Sequence, residues 1–191
     1  MGYSHHTEQW LPCPVEAVFA FFADPDNLPA LLPAWQQARI EKVSLVSASN
    51  PANPEPPIPG TTAYAGSGTR LTLSFRPFRH FPLRLRWVAE ITEFSWNDRF
   101  CDRQVRGPFA WWCHCHRFRA VDRQGMDMTV VVDHVEYELP LGFLGRLAHH
   151  FFLRRRIEDM FSFRQAQLAQ VFARMPPGSL RPQPQQERRS A

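Results

Sequence analysis

Two cysteines and two histidines alternate in the segment WWCHCHRF, residues 111–118. Both residue types bind transition metals, and a histidine can also transfer protons. Alternation is typical of a β-strand, in which neighbouring side chains point to opposite sides. The histidines and cysteines then lie on different faces and cannot converge on one metal ion. The predicted inner row is Trp112, His114, His116 and Phe118, and the predicted solvent row is Trp111, Cys113, Cys115, Arg117 and Arg119.

The next hairpin indicates which residues lie beside the histidines. A tight turn around Arg123-Gln124, with Gly125 able to take positive φ, would pair Asp122 with Gly125. Cross-strand partners on one face lie about 5 Å apart at Cβ, so the register decides which polar groups meet. The predicted pairs are Trp112–Val135, His114–Asp133, His116–Val131 and Phe118–Thr129.

The same argument around the turn RGPF, residues 106–109, places alternate residues of the preceding strand on the inner face. We therefore predict a polar cluster set in an aromatic wall that could bind a ligand. The candidate ligand-binding residues are Trp87, Phe100, Asp102, Gln104, Trp112, His114, His116, Phe118, Asp133, Tyr137 and Phe151.

Three interpretations of the polar cluster remain open. His114 and Asp133 could form an acid–base pair, because an aspartate fixes the tautomer of a neighbouring imidazole. Alternatively, the buried polar groups only satisfy one another or orient a ligand. A metal site is the third interpretation, but His134 falls on the outer face, and His149 or His150 of the terminal helix is hard to place. We expect no metal and no cofactor, and leave the catalytic residues unassigned.

The hydrophobic periodicity predicts an order of elements. A strand over 3–10 precedes a helix over 15–22 and a very short helix that ends before Pro33. Strands then follow, and a helical period returns over 144–174. The predicted strands are 38–47, 61–75, 83–94, 99–105, 110–121 and 126–139. The fold class is α+β: a curved antiparallel sheet whose apolar face is covered by the C-terminal helix, with a gap for a ligand between them.

Composition restricts the class of protein. The 191 residues suit one domain, predicted over 1–175, followed by a disordered Pro/Gln-rich tail over 176–191. The formal charge of +4 comes almost wholly from scattered arginines, so we do not expect nucleic-acid binding. No signal peptide or membrane span is evident, which predicts a cytoplasmic protein without membrane insertion. Four cysteines predict no disulfide framework. Cys113 and Cys115, two positions apart on one strand, would be about 7 Å apart at Cα, which strains a disulfide, so we expect the cysteines to be inert or mildly surface-reactive.

Three segments carry a family resemblance: LPCPVEAVFAFFADPDNLPALLP, F.D.QVRGPF..W.H.H.F and DHVEYELPLGFLGRLAHHFF. They resemble the SRPBCC superfamily, also called START-like, helix-grip or birch-pollen-allergen-like, and in particular its cyclase/dehydrase-type ligand-binding branch. The resemblance covers about residues 3–174. It implies a seven-stranded antiparallel sheet around a long C-terminal helix, with a hydrophobic cavity between them. It supplies no shared catalytic motif, and no residues here match the iron–sulfur ligands of the Rieske-type members.

These observations favour a protein that binds a small or medium-sized hydrophobic molecule of the polyketide, isoprenoid, quinone or lipid class. The short helices around Asp24–Pro33, together with the proline-rich loop over 50–60, are the candidate lid. One alternative is a cyclase/dehydratase- or isomerase-like enzyme that uses His114 and Asp133. Another is a non-enzymatic partner domain of a second protein. The oligomeric state stays open.

Overall fold

The computed structural model describes residues 2–48 and 64–174. Within them, seven strands form one antiparallel sheet in the order β1-β7-β6-β5-β4-β3-β2. The strands are β1 (Tyr3–Leu11), β2 (Arg39–Ser44), β3 (Arg70–Phe75), β4 (Leu85–Ser95), β5 (Arg99–Arg106), β6 (Trp111–Arg123) and β7 (Met126–Glu138). The strands from β2 to β7 form a meander, and β1 pairs with β7, from Tyr3 opposite Tyr137 to Leu11 opposite Thr129. The predicted antiparallel sheet is confirmed.

The hairpin between β6 and β7 turns one residue later than the sequence predicts. Gln124 and Gly125 occupy the turn, with φ of 57° and 79°, so Arg123 pairs with Met126. Two positive φ values in succession match the twist of the flanking strands. The four predicted pairs are therefore wrong by two positions, and because two is the period of a strand, every side chain keeps its predicted face. The observed pairs are Trp112–Tyr137, His114–Val135, His116–Asp133 and Phe118–Val131.

Two β-bulges bend β4 against β5. The register shifts between Val88 and Ala89 and again between Ile91 and Glu93. A bulge adds an unpaired residue to one strand and increases the local twist. The sheet is thus more strongly twisted where β4 pairs with β5.

The helices follow the predicted order. Helix α1 spans Val15–Ala23, and two short 3₁₀ helices follow at Pro25–Leu31 and Ala34–Gln36. The C-terminal helical segment consists of α2 (Gly142–Ala148), one π-helical turn (His149–Leu153) and α3 (Arg154–Ala173). The predicted helix over 144–174 is confirmed.

Helix α3 packs on the sheet through one buried stripe. Its buried side chains, Ile157, Phe161, Leu168 and Phe172, recur at helical spacing. Polar contacts fix α3 beside β1: the side chain of Gln9 donates to the backbone carbonyl of Gln165 at 2.7 Å, and the side chain of Gln165 donates to the carbonyl of Glu8 at 3.2 Å. The terminal helix therefore lies against the inner face of the sheet.

Two expected segments, the proline-rich loop over 50–60 and the tail over 176–191, lie outside the described residues. Among the helices that are described, none is long and apolar enough to cross a membrane.

Candidate functional site

A cavity of about 550 Å³ lies between the sheet and the helical elements. Strands β3 to β6 supply one wall, α3 supplies another, and α1 with the first 3₁₀ helix supplies a third. Apolar side chains form most of its surface. A volume of this size is within the range of sites that hold small organic molecules.

The inner row of β6 lies where the alternation predicts. His114 is 6% exposed and His116 is 3% exposed, while Trp112 and Phe118 are equally buried. Arg117 and Arg119 on the opposite face are exposed. The strand therefore directs both imidazoles to the interior, and its two cysteines lie on the opposite face.

The two imidazoles share one carboxylate. The Nε2 atom of His114 lies 2.9 Å from Oδ1 of Asp133, a hydrogen bond between buried groups. The Nδ1 atom of His116 lies 2.6 Å from the same oxygen, although without the alignment of a hydrogen bond. On the other side, Nδ1 of His114 lies 3.9 Å from Oδ2 of Asp102. Asp102, from β5, is the cross-strand partner of His114.

Burial and charge keep this cluster in a defined ionisation state. Desolvation, and after it the neighbouring His114, lowers the pKa of His116 to about 3, so this imidazole is neutral at pH 7. Burial alone would raise the pKa of Asp133. The Arg164 guanidinium and the two imidazoles instead hold that pKa well below its usual range. Desolvation raises the pKa of Asp102, an effect that His114 and Arg164 partly offset.

Six of the predicted ligand-binding residues line the cavity. Phe100 and Asp102 come from β5, and Trp87 comes from β4. The strand β6 supplies the rest. The six are Trp87, Phe100, Asp102, Trp112, His114 and His116.

The other five predicted residues lie outside the cavity wall. Gln104 has the predicted face, but its amide is used by the backbone of Phe109, to whose carbonyl it donates at 2.8 Å. Phe118 packs in the core beside α1, and Asp133 lies behind the histidines. Tyr137, on β7, forms a hydrogen bond with His149 at the start of the terminal helical segment. Phe151 lies in the π-helical turn and is 76% exposed.

The histidines of the terminal helix do not reach the inner cluster. The Nε2 atom of His149 lies 2.9 Å from the hydroxyl of Tyr137, and its ring stacks on Tyr3 at 3.6 Å between centroids. His149 therefore lies with these two tyrosines and does not complete a site with His114. Its place is at the end of the sheet where β1 and β7 pair.

Sequence reasoning missed Arg164 and the aromatic ring beneath it. Arg164 lines the cavity from α3, and its guanidinium carbon lies 5.1 Å from the centre of the Phe22 ring. Its buried Nε has no hydrogen-bond partner among the described residues. The available signal was its spacing, since Arg164 follows the buried Phe161 by three residues and so lies on the same side of the helix.

The expectation of inert cysteines is wrong for two of the four. Cys101 and Cys115 face each other across β5 and β6 on the outer side of the sheet and form a disulfide, with 4.1 Å between the Cα atoms. Cys13 and Cys113 are free thiols. The sequence argument compared Cys115 only with Cys113 on its own strand, whereas the neighbouring strand supplies the partner.

Comparisons with known proteins establish the fold of the chain. No family model matches the sequence, and no curated protein matches it. Norcoclaurine synthase from Thalictrum flavum is similar in structure, with a TM-score of 0.58 at 13% identity over 92% of this chain and 88% of that chain. The same synthase in complex with dopamine and hydroxybenzaldehyde has a TM-score of 0.54 at 15% identity, over 92% of this chain and 89% of that chain.

A bacterial protein shares the architecture as well. The protein TTHA0849 from Thermus thermophilus has a TM-score of 0.52 at 16% identity, over 88% of this chain and 99% of that chain. At such identities the likeness establishes the fold and leaves the activity to be argued from the site. The chain has the helix-grip fold, a seven-stranded antiparallel sheet with a long C-terminal helix, as the sequence resemblance predicts.

Proposed function

We propose that this protein binds a hydrophobic small molecule in the cavity between its sheet and its terminal helix. The observation that supports the proposal is the cavity itself, about 550 Å³ of space with a mostly apolar wall and a few polar groups at one place. The class we favour is an aromatic polyketide, isoprenoid, quinone or lipid. One structural neighbour was determined with two small aromatic molecules, dopamine and hydroxybenzaldehyde.

Binding would be driven by removal of the apolar part of the ligand from water, which contributes about 25 cal/mol for each Å² buried. Aromatic rings such as Trp87 and Trp112, whose centroids lie 5.2 Å apart, offer flat surfaces to a planar ligand. The cluster of Asp102, His114 and His116 would then fix one polar group of the ligand. Orientation thus comes from the polar end and affinity from the apolar body.

Entry of a ligand requires a movable segment, and the first 3₁₀ helix is our candidate. Leu28 and Leu31 of this helix line the cavity. Pro29 lies within the helix and does not line the cavity. A short 3₁₀ helix has weaker hydrogen-bond geometry than an α-helix and opens at lower cost.

Native mass spectrometry of the protein purified from its own host tests the proposal directly, because a buried ligand should be retained. A tryptophan-quenching titration with hydrophobic probes then measures affinity, with Trp87 and Trp112 as reporters. Ala89→Trp places a large ring inside the cavity and should weaken binding at least 10-fold. Ala120→Trp, at an exposed position of β6, is the matched control. Equal affinities for the two variants would refute binding in this cavity.

A second candidate function is an acid–base enzyme of the cyclase/dehydratase or isomerase kind. The supporting observation is the 2.9 Å hydrogen bond between His114 and Asp133 beside the cavity. An imidazole held in this way can move a proton to or from a bound carbonyl or hydroxyl. If His114 acts so, His114→Gln should abolish turnover of the retained compound and leave its affinity within a few-fold. Loss of affinity alone would favour the binding protein.

A further inference from the structure

The inner wall of the cavity brings together three potential metal ligands. One ring nitrogen of His114, one of His116 and a carboxylate oxygen of Asp102 all lie within 4.8 Å of one another. The two histidines come from β6, two positions apart, and Asp102 comes from the adjacent strand. Because rigid strands hold all three, the arrangement is set by the sheet and not by a loop.

Asp133 determines which imidazole nitrogens remain free. Its Oδ1 accepts a hydrogen bond from Nε2 of His114, which leaves Nδ1 of that ring as a lone-pair acceptor. The same oxygen lies 2.6 Å from Nδ1 of His116, not aligned as a hydrogen bond but too close for two lone pairs to face each other. The proton of that ring is therefore favoured on Nδ1 and the lone pair on Nε2. Carboxylates that hold the second nitrogen of a histidine in this way are characteristic of metal-ligating histidines.

The contact between His114 and Asp102 is then a contact between two acceptors. Nδ1 of His114 lies 3.9 Å from Oδ2 of Asp102, too far for a hydrogen bond. The ligand atoms of a tetrahedral zinc ion lie about 3.3 Å apart, so a small rotation of the Asp102 side chain would bring it to that distance. A cation between these atoms would satisfy both lone pairs.

Two carboxyl groups and one guanidinium lie at the cluster: Asp102 and Asp133 of the sheet and Arg164 of α3. The aromatic rings of Phe22, Phe100 and Phe161 pack against the imidazoles and limit solvent.

We propose that Asp102, His114 and His116 bind a divalent transition-metal ion, with Asp133 as a positioning residue for both imidazoles. Two histidines and one carboxylate form the ligand sets of many catalytic zinc sites and of non-haem iron sites. Three protein ligands leave at least one coordination position directed to the cavity. The site goes beyond the proposed binding of a hydrophobic molecule and does not depend on it.

The test is a titration of the untagged, metal-free full chain with Co²⁺, followed by visible absorption and by metal analysis after dialysis. We expect one ion per chain and ligand-field bands in the visible region. Asp102→Asn and His116→Gln should each weaken Co²⁺ binding at least 100-fold, and Asp133→Asn should weaken it about 10- to 100-fold. His134→Gln, on the exposed side of β7, is the matched control and should bind Co²⁺ as the wild type does.

A second measurement needs no variant and so does not depend on their folding. Nitrogen-15 NMR of the wild-type histidines should show His114 protonated at Nε2, with Zn²⁺ shifting the signal of its Nδ1. The proposal is overturned if the wild type takes up no stoichiometric Co²⁺ or Zn²⁺, or if Asp102→Asn binds Co²⁺ as tightly as His134→Gln. A hydrophobic ligand could still occupy the cavity in either case, so the two proposals fail separately.

Discussion

The imidazole of His114 donates to Asp133 at 2.9 Å although the two residues are not cross-strand partners. The partner of His114 is Val135, and Asp133 pairs with His116. The bond is therefore a diagonal contact across β6 and β7. One carboxylate that is 3% exposed thereby serves two buried imidazoles at once.

Because two imidazoles share the carboxylate of Asp133, we expect its replacement to lower the stability of the fold. Asp133→Asn keeps the shape of the side chain but removes the charge that both imidazoles contact. We expect the free energy of unfolding at pH 7 to fall by about 2 kcal/mol, because buried polar groups lose a charged acceptor. Urea denaturation measures this change. Asp127→Asn, at an exposed position of the same strand, should change stability by less than about 0.5 kcal/mol. Similar losses in the two variants would contradict the prediction.

The disulfide predicts a thiol count for the oxidised protein. Unfolded without reductant, the chain should expose two thiols, those of Cys13 and Cys113, and after reduction it should expose four. Peptide mapping should recover Cys101 linked to Cys115. In the native state the thiol of Cys13 should react slowly, because burial raises its pKa. A linked peptide that contains Cys113 would show a different pairing.

Tyr137 predicts a loss of stability at alkaline pH. Burial, with the nearby Tyr3 and Glu158, raises the pKa of its phenol to about 12. The unfolded phenol ionises near pH 10, so the stabilisation is complete below pH 10 and is lost as the pH rises from 10 to 12. We expect the wild type to lose stability relative to Tyr137→Phe over this interval, by less than about 1 kcal/mol per pH unit. Urea denaturation of both proteins from pH 8 to 11 measures the difference. A constant difference across these pH values would rule the effect out.

At position 145 we expect alanine to be less favourable than glycine, although alanine is normally the best residue within a helix. A Cβ at this position would lie 2.3 Å from the backbone oxygen of Pro140. Helix α2 must shift to accept it, and we expect Gly145→Ala to lower the free energy of unfolding by about 1–3 kcal/mol. Thermal unfolding provides the measurement. Ser162→Ala, exposed on α3, should be neutral or slightly stabilising. A stabilised Gly145→Ala variant would mean that the close approach is absent in solution.

The face of each residue in β6 could be predicted from the sequence because alternation depends only on the strand itself. The register of β6 against β7 could not, because it depends on which residue accepts positive φ, and Gln124 does so here. The error of two positions preserved the face of Asp133 but assigned it the wrong partner. The predicted contact between His114 and Asp133 exists as a diagonal hydrogen bond of 2.9 Å, whereas the approach of Asp133 to His116 was not predicted.

Contacts between distant elements were outside the reach of sequence patterns. Arg164 meets the histidine cluster only because α3 crosses the sheet at a particular angle, and no periodicity encodes that angle. Tyr137 was expected at the cavity because it shares the inner face of the sheet, and Phe151 because it lies on the apolar side of the predicted terminal helix. The π-helical turn at His149–Leu153 changes the rotation of that helix, and Phe151 points away from the interior.

The pairing of β1 with β7 determines when the sheet can be completed during synthesis of the chain. Within the described sheet, β1 (Tyr3–Leu11) pairs only with β7, which is translated after the six other strands. Until then its backbone donors and acceptors must remain hydrated or be shielded by a chaperone. Because the first and last strands of the described sheet must pair, we expect the sheet to be completed late in synthesis and folding to be slow.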